Sequence, residues 1–487
     1  MGNRFSSADA AWLHMDRPTN LMVINSVLLF DEPVDWERVK RIWQARIVDR
    51  YRRFRQRPVE SRVPFRPPKW EDDRDFALEH HFHHRALPAP GDRATLEALV
   101  GDLMTMPLDR SRPLWHNYMV DGFGDGCALI SRIHHCIADG ISLGRVLLSM
   151  TDSEPDAGIA PAIPRGRRRA RGGALSDIAR VGGTAARIGA AAARQGAQIV
   201  ASPAHAASLA GAVGRDGATA VRLVLTPADA ASAIKGDPGI SRHVAWTPPL
   251  PLNDIKLIAQ ANHATINDVV LAAVSGALRH YLQHRGSPVA EIQALVPFNL
   301  RPLDKPVPRE LGNKFGLVFL PLPVGTSGSY RRLVEVHKRM EEIKRSRDGA
   351  VSYGLLTVTG FAPEPVERRI IDMFTAKGTA VITNVPGPRE PIYVGGTALR
   401  TVLVWAPTSG HIGMSVAIYS YRGEVTVGLM VDAALIPDPD SILSELEREF
   451  EVLARLHTTR QHKLGRSRRQ TGRTPGRPSR TEQHSDG

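Results

Sequence analysis

The chain has 487 residues, 42% hydrophobic and 23% charged, with a formal net charge of +13 and a pI near 10.1. That length and mix suit a soluble globular protein of two large domains or several small ones, and the basic balance favours acidic partners such as nucleic acid, an anionic membrane surface or a phosphorylated cofactor. The two cysteines, Cys127 and Cys136, exclude a disulfide scaffold and suit a reducing cytosol; no secretory signal and no apolar run of membrane-spanning length is visible, so any membrane contact is peripheral.

The first zone, residues 1–152, mixes strand-like and helix-like patterns. Gly2 and Ser6 fit the loose N-myristoylation pattern, a short one that recurs by chance. "LMVINSVLLF" reads as a strand. "VDWERVKRIWQARIV" reads as an amphipathic helix, with Trp36, Val39, Trp43 and Ile47 near helical spacing and Asp35 as N-cap. "EHHFHH" at 79–84 invites a metal hypothesis, because His81 and His83 would share a strand face; no cysteine or acid-rich partner accompanies them, and no metal is expected. Trp115 opens an apparent strand, "WHNYMV", and core packing accounts for it.

"GCALISRIHH" is a strand running into "HHCIADG", with "ISLGRVLLSM" as a helix capped near Ser142. Alternate side chains of a strand share a face, so His134 and His135 point opposite ways and cannot both line one pocket. One suits chemistry and the other support. Imidazole titrates near neutrality and suits general-base work. Asp139, in reach of the same loop, could orient the ring or bind an arginine that fixes the loop, and Gly140 permits unusual backbone angles. The structural alternative is a pair of strand-end histidines hydrogen-bonded to backbone.

Residues 153–240 change character. "PRGRRRAR" packs five arginines into eight residues and leads into an alanine-rich stretch without aromatics. This reads as a basic linker with weak helices, either packed on the domains or resting on anionic lipid. The globular pattern returns over 241–458. Thr265 and Asp268 of "TIND" form a capping box ahead of a helix with Ile266, Val269, Val270, Ala273, Val274, Ala277, Leu278 and Tyr281 in period. "MSVAIYSYRGEVTVGLMVD" is a hairpin turning at Arg422-Gly423, and Asp438-Pro439 starts a terminal amphipathic helix. Residues 459–487, with eight Lys/Arg and two acids, read as a disordered tail. No zinc-finger, RRM or helix-turn-helix pattern goes with the tail, so no specific nucleic-acid partner is expected. Interleaved strands and helices make the class α/β or α+β with two domains.

"HHCIADG" resembles the HHxxxDG motif of acyl-CoA-dependent acyltransferases. The whole chain resembles the bacterial wax ester synthase/acyl-CoA:diacylglycerol acyltransferase family, through "SSADAAWLHMD", "PLDRSRPLW", "TINDVVLAAVSGALRHYL", "PFNLR", "LGN" at 311–313, "TNVPGP" at 383–388 and "YSYRGEVTVGLMVD". The resemblance implies two chloramphenicol-acetyltransferase-like domains with the active site in a tunnel between them. It implies His135 as base, supported by His134, Asp139 and Gly140, with Asp139 holding the loop through an arginine, for which Arg301 is the candidate. Asn267 and Asp268 would shape the tunnel wall. The oxyanion donor is not identified by the resemblance; Thr383 and Asn384, on the "TNVPGP" turn, are candidates. The implied reaction is direct transfer of a long-chain acyl group from acyl-CoA, a substrate and not a resident cofactor, to diacylglycerol or a long-chain alcohol. Its alternatives are another hydroxyl or amine acceptor, a carrier-bound donor, or an idle lipid-droplet-binding protein. The expected location is cytoplasmic, at the surface of membrane or lipid inclusions.

Overall fold

A computed structural model describes residues 4–61, 67–159, 223, 225–289, 291–301, 307–346, 348–359 and 364–471. Gly2, the "PRGRRRAR" run and most of the linker lie outside the described residues. Among the described residues, sixteen strands form two main sheets and two short pairs. In chain order they are β1 (Val23–Phe30), β2 (Gln56–Val59), β3 (Lys69–Asp72), β4 (Phe82–Ala86), β5 (Trp115–Phe123), β6 (Gly126–His134), β7 (Arg242–Trp246), β8 (Leu250–Pro251), β9 (Ile292–Asn299), β10 (Phe315–Leu322), β11 (Ala380–Pro386), β12 (Tyr393–Val394), β13 (Thr397–Ala398), β14 (Thr401–Trp405), β15 (Met414–Tyr421) and β16 (Glu424–Asp432). The first sheet runs β14-β1-β6-β5-β4. The second runs β10-β9-β11-β15-β16-β7, with β8 beside β16.

The second half of the chain thus lends a strand to the first sheet. β14 pairs antiparallel with β1, Val27 opposite Leu403, so a division by chain segment does not follow the sheets. The reason is packing. β1 and β6 are buried along their whole length, as expected of strands covered on both faces. One face, with Ile24, Leu28, Leu129 and Ile133, joins Trp12, Trp43, Phe54 and Trp115 in the largest apolar cluster. The other face, with Val27, Leu29 and Ile130, packs on Trp246, Trp405, Ala417 and Met430 of the second half. Trp405 lies so close over Gly428 of β16 that an added Cβ would stand 3.0 Å from its indole nitrogen. A third core wraps the helix Ile266–His284, which is buried on nearly every side.

Local signals hold at several element ends. Asp35 caps the helix Trp36–Trp43, and Thr265 with Asp268 forms the expected reciprocal capping box. The β15–β16 hairpin turns through Arg422 and Gly423, both in the left-handed region that a tight two-residue turn requires (φ 49° and 82°). Two elements differ from expectation. β4 starts at Phe82, so His80 ends a short 3-10 turn (Leu78–His80) and His81 precedes the strand. The terminal helix begins at Pro439 but continues to Thr471, into the segment that reads as tail.

Candidate active site

His135 stands one residue past the end of β6, where its N–H donates to the Met22 carbonyl at 2.7 Å. Its ring points to the apolar-cluster face and stacks on Trp12, with centroids 4.1 Å apart and planes at 17°; Phe315 tilts against it at 5.3 Å. His135 is 5% exposed. Burial is the main reason that its pKa is pushed down to about 4, so the ring is neutral at pH 7.

A second block of the chain meets this ring. Asn313 Oδ1 lies 2.9 Å from His135 Nδ1. Asn313 Nδ2 donates to the His135 carbonyl and to Asp9 Oδ1, both at 2.8 Å, and the Asn313 N–H donates to the same Asp9 oxygen at 2.9 Å. Turning the amide over would set its oxygen between two acceptors, so the orientation is determined by its partners. An amide oxygen only accepts. His135 Nδ1 therefore carries the proton, and Nε2 is left with the lone pair of a base.

Asp9 owes its place to the helix Ser7–His14. Ser6 caps that helix by accepting the Asp9 N–H, and Trp12, three residues on, lies on the same helical face. Arg53 Nη2 donates to Asp9 Oδ2 at 3.1 Å, while its Nη1 donates to the carbonyls of Cys136 and Ile137. Gly312 has φ +96°, and an added Cβ would sit 3.3 Å from Asp9 Oδ2. The "LGN" turn thus uses glycine to bring its backbone against the carboxylate.

Asp139 holds the loop; of its two possible roles, it does not orient the ring. It is the N-cap of the helix Gly140–Leu148, its Oδ1 accepting from the Ser142 N–H, which moves the cap from Ser142 to Asp139. Its Oδ2 accepts from the Lys314 N–H at 3.0 Å and lies 3.4 Å from Arg301 Nε. Arg301 in turn donates to the Gly312 carbonyl at 2.6 Å. Gly140 is the first helical residue, outside the left-handed region, with open space where a Cβ would stand, so unusual backbone angles are not its role.

His134 faces the other way, as alternation demands. Its Nδ1 accepts from the Cys136 N–H at 3.1 Å and its Nε2 lies 3.7 Å from Asp16 Oδ2. Cys136 is fully buried, and burial raises its thiol well above the ordinary range, which disfavours the thiolate at neutral pH.

The remaining candidates lie apart from this network. Asp268 completes its capping box and accepts from His337 Nδ1 at 2.8 Å. Asn384 Nδ2 donates to Asn267 Oδ1 at 2.9 Å, joining β11 to the start of the helix Ile266–His284, and Thr383 is half-buried beside it on β11. His83 Nε2 meets His116 Nδ1 at 2.8 Å and His81 stacks on Trp115; among the described residues no group of three His, Cys, Asp or Glu is arranged to hold a metal. A cavity where the two halves meet, lined by Asn20, Val23, Arg242, Thr408 and Met430, does not include His135.

Asp9, Trp12 and Asn313 make contacts around His135 that sequence reading did not assign. Their signal was present in the blocks "SSADAAWLHMD" and "LGN", which match the family without showing what they touch.

Comparison with known proteins supports the same family. The profile of the wax ester synthase/diacylglycerol acyltransferase catalytic domain matches residues 5–270, and that of the family's C-terminal domain matches 311–454. The Mycobacterium tuberculosis protein named probable diacylglycerol O-acyltransferase tgs1 is 29% identical over 412 residues, 83% of each chain. The solved wax ester synthase/diacylglycerol acyltransferase of Marinobacter aquaeolei has a TM-score of 0.66 at 24% identity, covering 93% of this chain and 100% of its own. The starter condensation domain of rhizomide synthetase, solved with C8-CoA, shares the fold at a TM-score of 0.55 and 14% identity, covering 94% and 95%. The chain is an acyltransferase and belongs to the wax ester synthase/diacylglycerol acyltransferase family.

Proposed function

We propose that this enzyme moves a long-chain acyl group from acyl-CoA to diacylglycerol or a long-chain alcohol, with His135 as general base and no covalent intermediate. One observation carries the reading: a neutral imidazole whose Nδ1–H donates a hydrogen bond to Asn313 Oδ1, leaving the Nε2 lone pair to accept a proton. Nε2 takes the proton of the acceptor hydroxyl as its oxygen attacks the thioester carbonyl. The tetrahedral oxyanion collapses, the carbon–sulfur bond breaks, and the CoA thiolate leaves and recovers the proton. Acid-base help of this kind contributes about 10²- to 10⁴-fold, and positioning must supply much of the rest. The protonated thiol of Cys136 supports direct transfer.

Such chemistry needs a passage to a ring that is 5% exposed, against which Trp12 and Phe315 pack. The lipidic substrates bring the enzyme to the surface of a membrane or lipid inclusion, where a net charge of +13 suits anionic headgroups. Among the described residues no helix is long and apolar enough to cross a membrane.

Thiol release from palmitoyl-CoA, measured with and without diolein or hexadecanol, tests the proposal. Release should depend on the acceptor and be lost in His135→Ala. Acceptor-dependent release at the normal rate in that variant rejects the base assignment. Release that neither acceptor stimulates rejects the acceptor class and turns attention to other hydroxyls or amines.

A further inference from the structure

We infer that Asn313, reaching across the junction between the two halves, and Asp9, on the half of His135 itself, are positioning residues of the transfer reaction that hold the His135 ring in the Nδ1–H tautomer. The inference rests on His135 being the base. Four groups form one line: Arg53 Nη2 to Asp9 Oδ2, Asp9 Oδ1 to Asn313 Nδ2, and Asn313 Oδ1 to His135 Nδ1. Asp9 is 1% exposed and Asn313 5%, so water does not compete for these bonds. Asn313 is clamped at backbone and side chain by the same Asp9 oxygen, and its amide also holds the His135 carbonyl. Ring and main chain of the base are thus gripped by one residue 178 positions away.

The choice of amide over carboxylate has a consequence. A carboxylate at position 313 would attract a proton to the ring and raise its pKa, whereas the neutral amide fixes the tautomer while leaving burial to keep the ring uncharged. Asp9 supplies the order of the line: its charge, offset by Arg53, requires a donor from Asn313, and that forces the amide oxygen toward the ring. Ring misplacement costs about 10²-fold in rate when reacting atoms shift by an ångström.

Two measurements test this. Nitrogen-15 spectra of the full chain should show the His135 signal as the Nδ1–H tautomer at pH 7; an Nε2–H signal overturns the inference. Asn313→Ala should lower kcat for palmitoyl-CoA with diolein about a hundredfold while KM changes little, the pattern of a group felt in the transition state. A folded Asn313→Ala protein with the wild-type kcat overturns the inference. Should that variant not fold, the pair Asn313→Asp with Asp9→Asn keeps a donor facing an acceptor between the two side chains while giving up the bond from the residue-313 N–H. Its acid limb of kcat/KM should rise by about 1 to 3 pH units, and an unmoved limb overturns the inference. His135→Ala separates the two claims: its normal activity would sink the base assignment, whereas an inactive His135→Ala beside a fully active Asn313→Ala sinks only the positioning role.

Discussion

Arg301 Nε lies 3.4 Å from Asp139 Oδ2, and that carboxylate caps the helix after the histidine motif with its other oxygen. The pair crosses the junction, since Asp139 follows β6 and Arg301 follows β9. The motif loop is therefore pinned from both sides: Asp9 and Arg53 on its own half, Arg301, Asn313 and Lys314 on the other.

Asp139→Ala removes the cap and leaves Arg301 facing no carboxylate. The cap alone is worth about 1 kcal/mol, and the cost of breaking a fully buried pair, about 3–5 kcal/mol, is an upper bound here, because Arg301 is only half-buried. We expect a loss within that range in urea unfolding. Arg301→Ala should cost less, because Asp139 keeps its bonds to the Ser142 and Lys314 N–H groups. The double variant should be less destabilised than the two single losses added together; strict additivity would show that the two side chains do not interact.

The His135 pKa is pushed down to about 4, principally by burial. An ordinary imidazole would be half protonated near pH 6.5 and lose its basicity below that. Here kcat/KM should stay flat from pH 7 through pH 5.5 and fall only as pH approaches 4. An acid limb centred near 6.5, on a protein that remains folded, would contradict a buried neutral base.

His14 shifts the other way. A hydrogen bond to Glu367, at 2.9 Å, and the Glu60 carboxylate 3.8 Å from the other ring nitrogen raise its pKa to about 9. Because the folded value lies above the unfolded one, the stabilisation is complete below about 6.5 and disappears as pH rises through about 9. Comparing wild type with His14→Gln by thermal unfolding should give the largest gap in Tm at pH 6 and almost none at pH 10. A gap that does not change with pH would assign His14 a packing role only.

Cys136 lies between base and loop carboxylate, yet its thiol is buried and protonated. Cys136→Ala should keep kcat within about threefold and lower stability modestly, since a small buried side chain is removed. Mass spectrometry of enzyme quenched during turnover should find no acylated peptide containing residue 136. A covalent acyl adduct there would replace direct transfer with a two-step route.

What the sequence determined by itself is what short-range physics controls. Thr265 and Asp268 lie three residues apart and find each other through one helical turn, so the capping box was legible. Arg422-Gly423 made the hairpin legible for the same reason, and strand alternation alone separated His134 from His135. The family resemblance of the spaced blocks added the fold, the acyltransferase class and the Arg301 partner. Where the sequence misled, the error was also local: Gly140 suggested unusual backbone angles and Ser142 the cap, but Asp139 takes the cap and Gly140 enters the helix in ordinary geometry. Only the tertiary structure brought Asn313 to His135, seated Asp9 and Trp12 beside them, and placed β14 in the sheet of the other half. No periodicity encodes such meetings. They depend on burying both faces of β1 and β6, a condition met only when distant parts of the chain close over them.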